Sequence, residues 1–232
     1  MSFLSRLFGI EKNRPEEIKR YINECKKQDL KKRIDEVEFV CFDTELTGLD
    51  YKKDSVISIG AVRMRGSRIY PGQSFYSLVK PTCELKPDGV VVHGITSDDL
   101  RNAPEPERVL LEFVRFIGGA VLVGHFVFID RRFINSMMKR YFRIRLLNHV
   151  IDTFNIHEWL YDNDASFARH YRGMTVKKDL FSMARRYGIL IEQSHNALYD
   201  AYLTAQLFQV FLGFLPESGI VSLEELLMIG KA

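Results

Sequence analysis

The segment Val37-Glu-Phe-Val-Cys-Phe42 constrains the chain most. Its apolar residues run almost without a break, leaving no polar face for water, so it suits a strand buried on both sides in the middle of a sheet. Asp43 is read as its end. Two further strands are expected over Ser55–Met64 and Ser74–Val79. The Arg65-Gly66-Ser67 turn between them points to an antiparallel meander. Beyond these, strand and helix alternate. A helix led by Pro104 and Pro106 turns Leu110, Phe113, Val114 and Ile117 inward and stops at Gly118 and Gly119, and Thr96 with Asp99 forms a capping pair ahead of it. A short strand over Ala120–Val123, a helix over Phe128–Phe142, a strand near His149–Ile151 and a helix over Phe154–Tyr161 follow. The last helices are expected over Asp179–Tyr187, closed by Gly188, and over Ala197–Phe214, closed before Pro216. A meander followed by strand-helix alternation makes an α/β fold, a mixed sheet with helices on both faces.

With 232 residues, nearly half of them apolar, the chain can bury one substantial core but is short for two domains and a linker. The reading is a helical N-terminal extension over residues 1–36, a main domain over 37–215 and a helical tail over 216–232. In the extension Ile18, Tyr21, Ile22 and Cys25 form an apolar stripe at helical spacing, and in the tail Leu223, Leu226, Leu227 and Ile229 do the same. Either stripe packs on the main domain or docks a partner. Cys25, Cys41 and Cys83 are odd in number and without C-x-x-C spacing, which excludes a disulfide framework or a thiolate zinc site and suits a reducing cytoplasm. The apolar opening is interrupted by Arg6 and too short for a signal sequence, and no stretch approaches the roughly 20 apolar residues of a membrane span. A soluble cytoplasmic protein is expected. The formal charge of +3 decides little, because a carboxylate-rich site and a basic surface elsewhere cancel in the sum.

Asp43 and Glu45 stand two apart at the end of the central strand, and the period of two puts both carboxylates on one face. Side by side they repel, unless a cation relieves them; magnesium and manganese take such hard oxygen ligands. Alone, the pair also fits a solvated strand end. The Thr47-Gly48-Leu49 turn beyond it lets a backbone approach a ligand closely. Asp130 falls in the first turn of the Phe128–Phe142 helix, where an acid is also favoured by the helix dipole. Asp152 precedes a helix and reads as its cap. His195 stands just ahead of the last long helix and Asp200 inside it, so both can face the end of the central strand.

Taken together, Asp43-x-Glu45, Asp130, and His195 followed five residues on by Asp200 resemble the three motifs of the DEDDh 3'-5' exonucleases. This family includes the proofreading epsilon subunit of bacterial DNA polymerase III and RNase T. The likeness spans roughly Glu38–Leu212 and extends to flanking sequence: Phe42-Asp-Thr-Glu-Leu-Thr-Gly-Leu49, Val92-His-Gly-Ile-Thr96 and His195-Asn-Ala-Leu-Tyr-Asp-Ala201. It implies an RNase H-like fold and a single-stranded 3' end as substrate, DNA more than RNA. It implies two divalent ions, Mg²⁺ or Mn²⁺, held by Asp43, Glu45, Asp130 and Asp200, with Asp43 bridging and His195 as general base. It also points to Thr44, Leu46, Thr47 and His93 around the terminal nucleotide, with Leu46 as a wedge against the base; His93 also fits a turn residue bonded to its own loop. One departure stands out: Gly124-His125-Phe126 occupies a place where the family commonly has Gly-His-Asn. That Phe either stacks on a nucleotide or fills core, and core filling is the reading taken. The likeness suggests a proofreading subunit of a DNA polymerase, with an exoribonuclease trimming RNA 3' ends or an accessory polymerase-docked module as alternatives.

Overall fold

The computed structural model describes residues 14–85, 87–169, 177–191 and 195–232. Five strands form one sheet in the order β3-β2-β1-β4-β5, with β1 at Glu38–Leu46, β2 at Val56–Arg65, β3 at Arg68–Leu78, β4 at Val121–Gly124 and β5 at Val150–Asp152. The expected central strand is β1: it pairs antiparallel with β2 on one side and parallel with β4 on the other. Asp43 does not end it. The strand runs on to Leu46 because β2 continues to pair with it there, Asp43 opposite Gly60 and Glu45 opposite Ser58.

The β2–β3 hairpin closes through Gly66, whose φ of 51° lies where a side chain is disfavoured. Its second strand starts at Arg68, six residues before the expected Ser74. Pro71 and Gly72 argue against a strand by propensity, yet β3 lies at the sheet edge, where a missing donor faces solvent.

Beyond the hairpin lie the short helices α2 (Pro87–His93) and α3 (Ser97–Leu100); Thr96 and Asp99 form the expected capping box on α3. Alternate residues of β1 face two cores. Phe39 and Cys41 pack under the long helix α9 (Ala197–Phe214) with α6 (Thr153–Asn163) and the terminal α10 (Leu223–Gly230). Val40 and Phe42 pack under α4 (Pro106–Ile117), α5 (Phe128–Phe142) and the N-terminal α1 (Glu16–Cys25). Two small helices, α7 (Ala165–Arg169) and α8 (Leu180–Arg186), complete the first layer. Helices therefore flank both faces of the mixed sheet, as the strand-helix pattern implied.

Helix α4 shows how pattern becomes packing. Val109, Leu110, Phe113, Val114 and Ile117 recur on one side and are all buried, each contributing ~1.5–3 kcal/mol by leaving water. Phe113 meets Phe42 of β1 and Phe75 of β3 at centroid distances of 5.9 and 5.7 Å. Gly118, with φ 48°, ends the helix. On α1, Ile18 and Tyr21 are buried against this layer, and the Tyr21 hydroxyl donates to Asn148 Oδ1 at 2.6 Å. The tail buries Leu223, Leu226 and Leu227, and its Leu223 and Glu224 amides donate to the carbonyls of Lys32 and Leu30 at 2.9 and 2.8 Å. No described helix is long and apolar enough to cross a membrane.

Candidate active site

The parallel pairing of β1 with β4 stops at Cys41, so the last residues of β1 project past β4 with one edge open. Asp43 and Glu45 continue the row of Phe39 and Cys41 on the α9 face, as the period of two requires. Thr44 points the other way. Its open-edge amide donates to Asp130 Oδ1 at 3.0 Å, and its hydroxyl donates to the same oxygen at 2.5 Å. Asp130, buried in the first turn of α5, thus takes the place of a missing strand partner.

Asp200 arrives from above. Asn196 caps α9 by accepting from the Leu198 and Tyr199 amides, and Gly60 lets this helix start touch the sheet. A Cβ on Gly60 would lie 2.1 Å from both the Ala197 carbonyl carbon and the Leu198 nitrogen. Because Gly60 sits opposite Asp43, this bare spot decides how near Asp200 comes to the strand acids. One carboxylate oxygen from each of Asp43, Glu45 and Asp200 lies within 4.8 Å of the others.

Such crowding is electrostatically uphill. Burial raises Glu45 to about 8, helped by the charges of Asp200 and Asp130. Burial likewise raises Asp200 to about 7 against the His195 amide that its carboxylate accepts. Asp130 also rises to about 7 by burial, opposed by its bonds from Thr44. Asp43 is raised well above the usual carboxylate range, first by burial and then by Asp130, Asp200 and Glu45. Asp200 Oδ1 is buried with no hydrogen-bond partner among the described residues. A cluster of hard oxygens with an unpartnered buried acceptor fits a divalent cation of the magnesium or manganese kind.

The acids line a cleft of about 900 Å³. Leu46 and Leu49 form part of its wall, Leu46 half-buried and Leu49 exposed. Thr47 is buried and its hydroxyl accepts the Ser55 amide at 2.9 Å, so this side chain braces the turn. His93 ends α2 and does what a turn residue does, Nδ1 accepting the Ile95 amide at 3.1 Å. Its Nε2 is buried on the cleft side with no partner among the described residues, and burial, then the nearby His195, lowers its pKa. His195 lines the cleft with φ 59°, its ring 5.1 Å from that of Phe181.

Phe126 does not fill core. It is half-buried on the cleft wall with φ 52°, a backbone state that disfavours side chains by ~1–2 kcal/mol. Asp152 holds it there: besides capping α6 at Phe154, as expected, its carboxylate accepts the Phe126 and Val127 amides at 3.0 and 2.9 Å. The Phe126 ring lies 4.6 Å from His125 and 4.9 Å from Phe154. Sequence reasoning gave no role to His125, Val92 or Phe181, which also line the cleft. His125 is fully engaged, Nδ1 with Thr153 Oγ1 and Nε2 with the Lys178 carbonyl, both at 2.8 Å, and burial pushes its pKa down to about 4. Only its place directly after β4 could have hinted at such a brace.

Residues 40–208 match the RNase T-type family described as Exonuclease. The chain belongs to the DEDDh family of 3'-5' exonucleases. The chain is 32% identical over 188 residues to the PolC-type DNA polymerase III of Thermotoga maritima, covering 81% of this chain. To the PolC-type enzyme of Bacillus subtilis it is 31% identical over 194 residues, covering 83%. The chain spans 13% of the length of each. Among solved structures, E. coli exonuclease I in complex with a dT13 oligonucleotide shares the fold with a TM-score of 0.66 and 16% identity, over 78% of this chain and 42% of that one. Exonuclease X in complex with 5' overhanging duplex DNA gives 0.56 and 20%, over 75% and 91%.

Proposed function

We propose that this exonuclease removes nucleotides one at a time from the 3' end of single-stranded DNA, with Asp43, Glu45, Asp130 and Asp200 as metal ligands and His195 as general base. The observation that carries the reading is the convergence of Asp43, Glu45 and Asp200 at the open end of β1, with Asp130 tied to the same strand through Thr44. Two divalent ions, Mg²⁺ or Mn²⁺, would supply activation of the attacking water and stabilisation of the leaving oxygen. Histidine exchanges a proton near neutral pH, and His195 at the cleft wall takes the water's proton on its imidazole. Leu46 and Leu49 wedge against the terminal base, and the backbone from Thr44 to Thr47 meets its sugar and phosphate. His93 Nε2, on the cleft side near Thr47, orients the nucleotide. The oligonucleotide held by the exonuclease I neighbour supports a DNA strand, and the PolC-type relatives support action on ends that a DNA polymerase has extended.

The test is digestion of 5'-labelled single-stranded DNA, beside a matched RNA, with Mg²⁺ or Mn²⁺, with EDTA, and with Asp43→Ala. A ladder shortening from the 3' end on DNA, absent in EDTA and in the variant, is the expected result. Preference for the RNA would move the substrate to RNA ends. A ladder that survives Asp43→Ala, or folded wild-type protein that cuts neither strand, would overturn the reading.

A further inference from the structure

Helix α5 carries a second feature that the cleft chemistry does not use. From Arg132, two residues beyond Asp130, a stripe of Ser136, Lys139, Arg140 and Arg143 follows at helical spacing along one face. With Arg145 and Tyr51 these residues line a groove of about 500 Å³ whose lining holds no acid among the described residues. All five cations are exposed, and none has an acidic partner among the described residues.

Two bland accounts fall short. Basic residues near a helix C-terminus are favoured by its dipole, which covers Lys139, Arg140 and Arg143 but not Arg132, which lies in the second turn from the other end. A solvated surface face leaves its charges spread outward. Here the Arg132 guanidinium lies 4.4 Å from the Tyr51 ring centroid and Lys52 lies 6.0 Å from the same centroid, so both charges gather on one aromatic. Tyr51 stands just beyond the Thr47-Gly48-Leu49 turn that walls the cleft. The groove therefore begins where the cleft's helix and the cleft's turn both leave it.

We propose that this groove binds the phosphodiester backbone of the nucleic acid whose 3' end occupies the cleft; the proposal rests on the exonuclease reading for what fills the cleft. From Arg132 to Arg143 the helix rises ~17 Å at 1.5 Å per residue. That length spans several successive phosphates of a strand laid along it. An acidic peptide or an anionic lipid surface would also meet the charge. A track whose first cation, Arg132, stands one helical turn on from the cleft-lining Ile129 favours a polymer that must already pass there.

The experiment compares wild-type full chain with the triple substitution Lys139→Gln, Arg140→Gln, Arg143→Gln, and with a charge-keeping triple, Lys139→Arg, Arg140→Lys, Arg143→Lys. Anisotropy of a 5'-labelled dT20 in EDTA is measured from 50 to 200 mM KCl, and thermal melting checks that each protein is folded. Neutralisation should weaken binding on the order of tenfold or more at 50 mM and lower the salt slope by roughly 2 to 3, at 0.7 to 0.9 per cation. The charge-keeping triple should bind as wild type. Hydrolysis of the p-nitrophenyl ester of thymidine 5'-monophosphate, which reaches only the cleft, should change less than twofold. Unchanged affinity and slope in the neutralised protein would overturn the proposal. So would stripe-dependent binding to phosphatidylserine vesicles or polyglutamate without such binding to dT20. If wild-type protein cleaves neither ester nor oligonucleotide but binds dT20 through the stripe, the groove stands and the exonuclease reading fails.

Discussion

Replacing Gly60 by alanine tests whether packing, beyond motif residues, builds the site. The added Cβ would meet the Ala197 carbonyl carbon and the Leu198 nitrogen at 2.1 Å. Both are backbone atoms in the first turn of α9 and cannot rotate away. Restoring the 3.4 Å of ordinary contact requires the start of α9 to retreat by about 1.3 Å. Asp200 lies on that turn, so its carboxylate leaves the 4.8 Å cluster with Asp43 and Glu45. Overpacking of this kind costs about 1–3 kcal/mol, and at ~2–4 °C per kcal/mol for a chain of this size Tm should fall by roughly 2–12 °C. The larger effect is on chemistry, since a displacement of ~1 Å in a catalytic arrangement can reduce rate by about 10²-fold. The assay is steady-state hydrolysis of single-stranded DNA with saturating Mn²⁺, beside a Mn²⁺ titration and a melting curve. Gly72→Ala is the control, because its Cβ meets nothing within 4 Å. Wild-type turnover and Tm in Gly60→Ala would refute the claim that this contact sets the position of Asp200.

Two further outcomes follow from the same geometry. Thr44→Val removes the hydroxyl that donates to Asp130 Oδ1 at 2.5 Å; hydrogen bonds to charged groups are worth ~1.5–3 kcal/mol, so Tm at pH 8 should drop, and loss of a ligand-orienting partner should reduce activity about 10–100-fold, with Thr44→Ser retaining both. The acids also set a pH dependence: Glu45 at about 8 and Asp130 and Asp200 at about 7 all lie above their unfolded values. A carboxyl raised on folding leaves stability intact below its unfolded pKa and removes it as pH climbs through the folded one. Metal-free protein should therefore lose Tm between about pH 4 and 8, while Mn²⁺ restores more at pH 8 than at pH 6 and binds with proton release by calorimetry in buffers of different ionisation enthalpy. A metal-free Tm that rises through this window would contradict the burial of these acids.

The amino-acid sequence by itself determined the layered plan and the cast of acids. An apolar run flanked by acids, a glycine turn and alternating helical stripes are local patterns, and local patterns survive without knowledge of the fold. The sharing of one face by Asp43 and Glu45 follows from strand period alone, and the caps at Thr96 and Asp152 follow from side-chain reach. Strand ends were less legible: β1 outlasts its apolar run because β2 keeps pairing with it, and β3 accepts Pro71 because it lies at the edge. Only the tertiary structure decided what depends on contacts between segments far apart in the chain. It joined Thr44 to Asp130 across 86 residues, set Gly60 beneath α9, and turned Phe126 into the cleft through backbone bonds to Asp152. It also drew the Arg132 stripe up to Tyr51. The physical reason is range: residue spacing dictates which side of an element a group occupies, while burial, charge crowding and close approach exist only once separate elements are packed together.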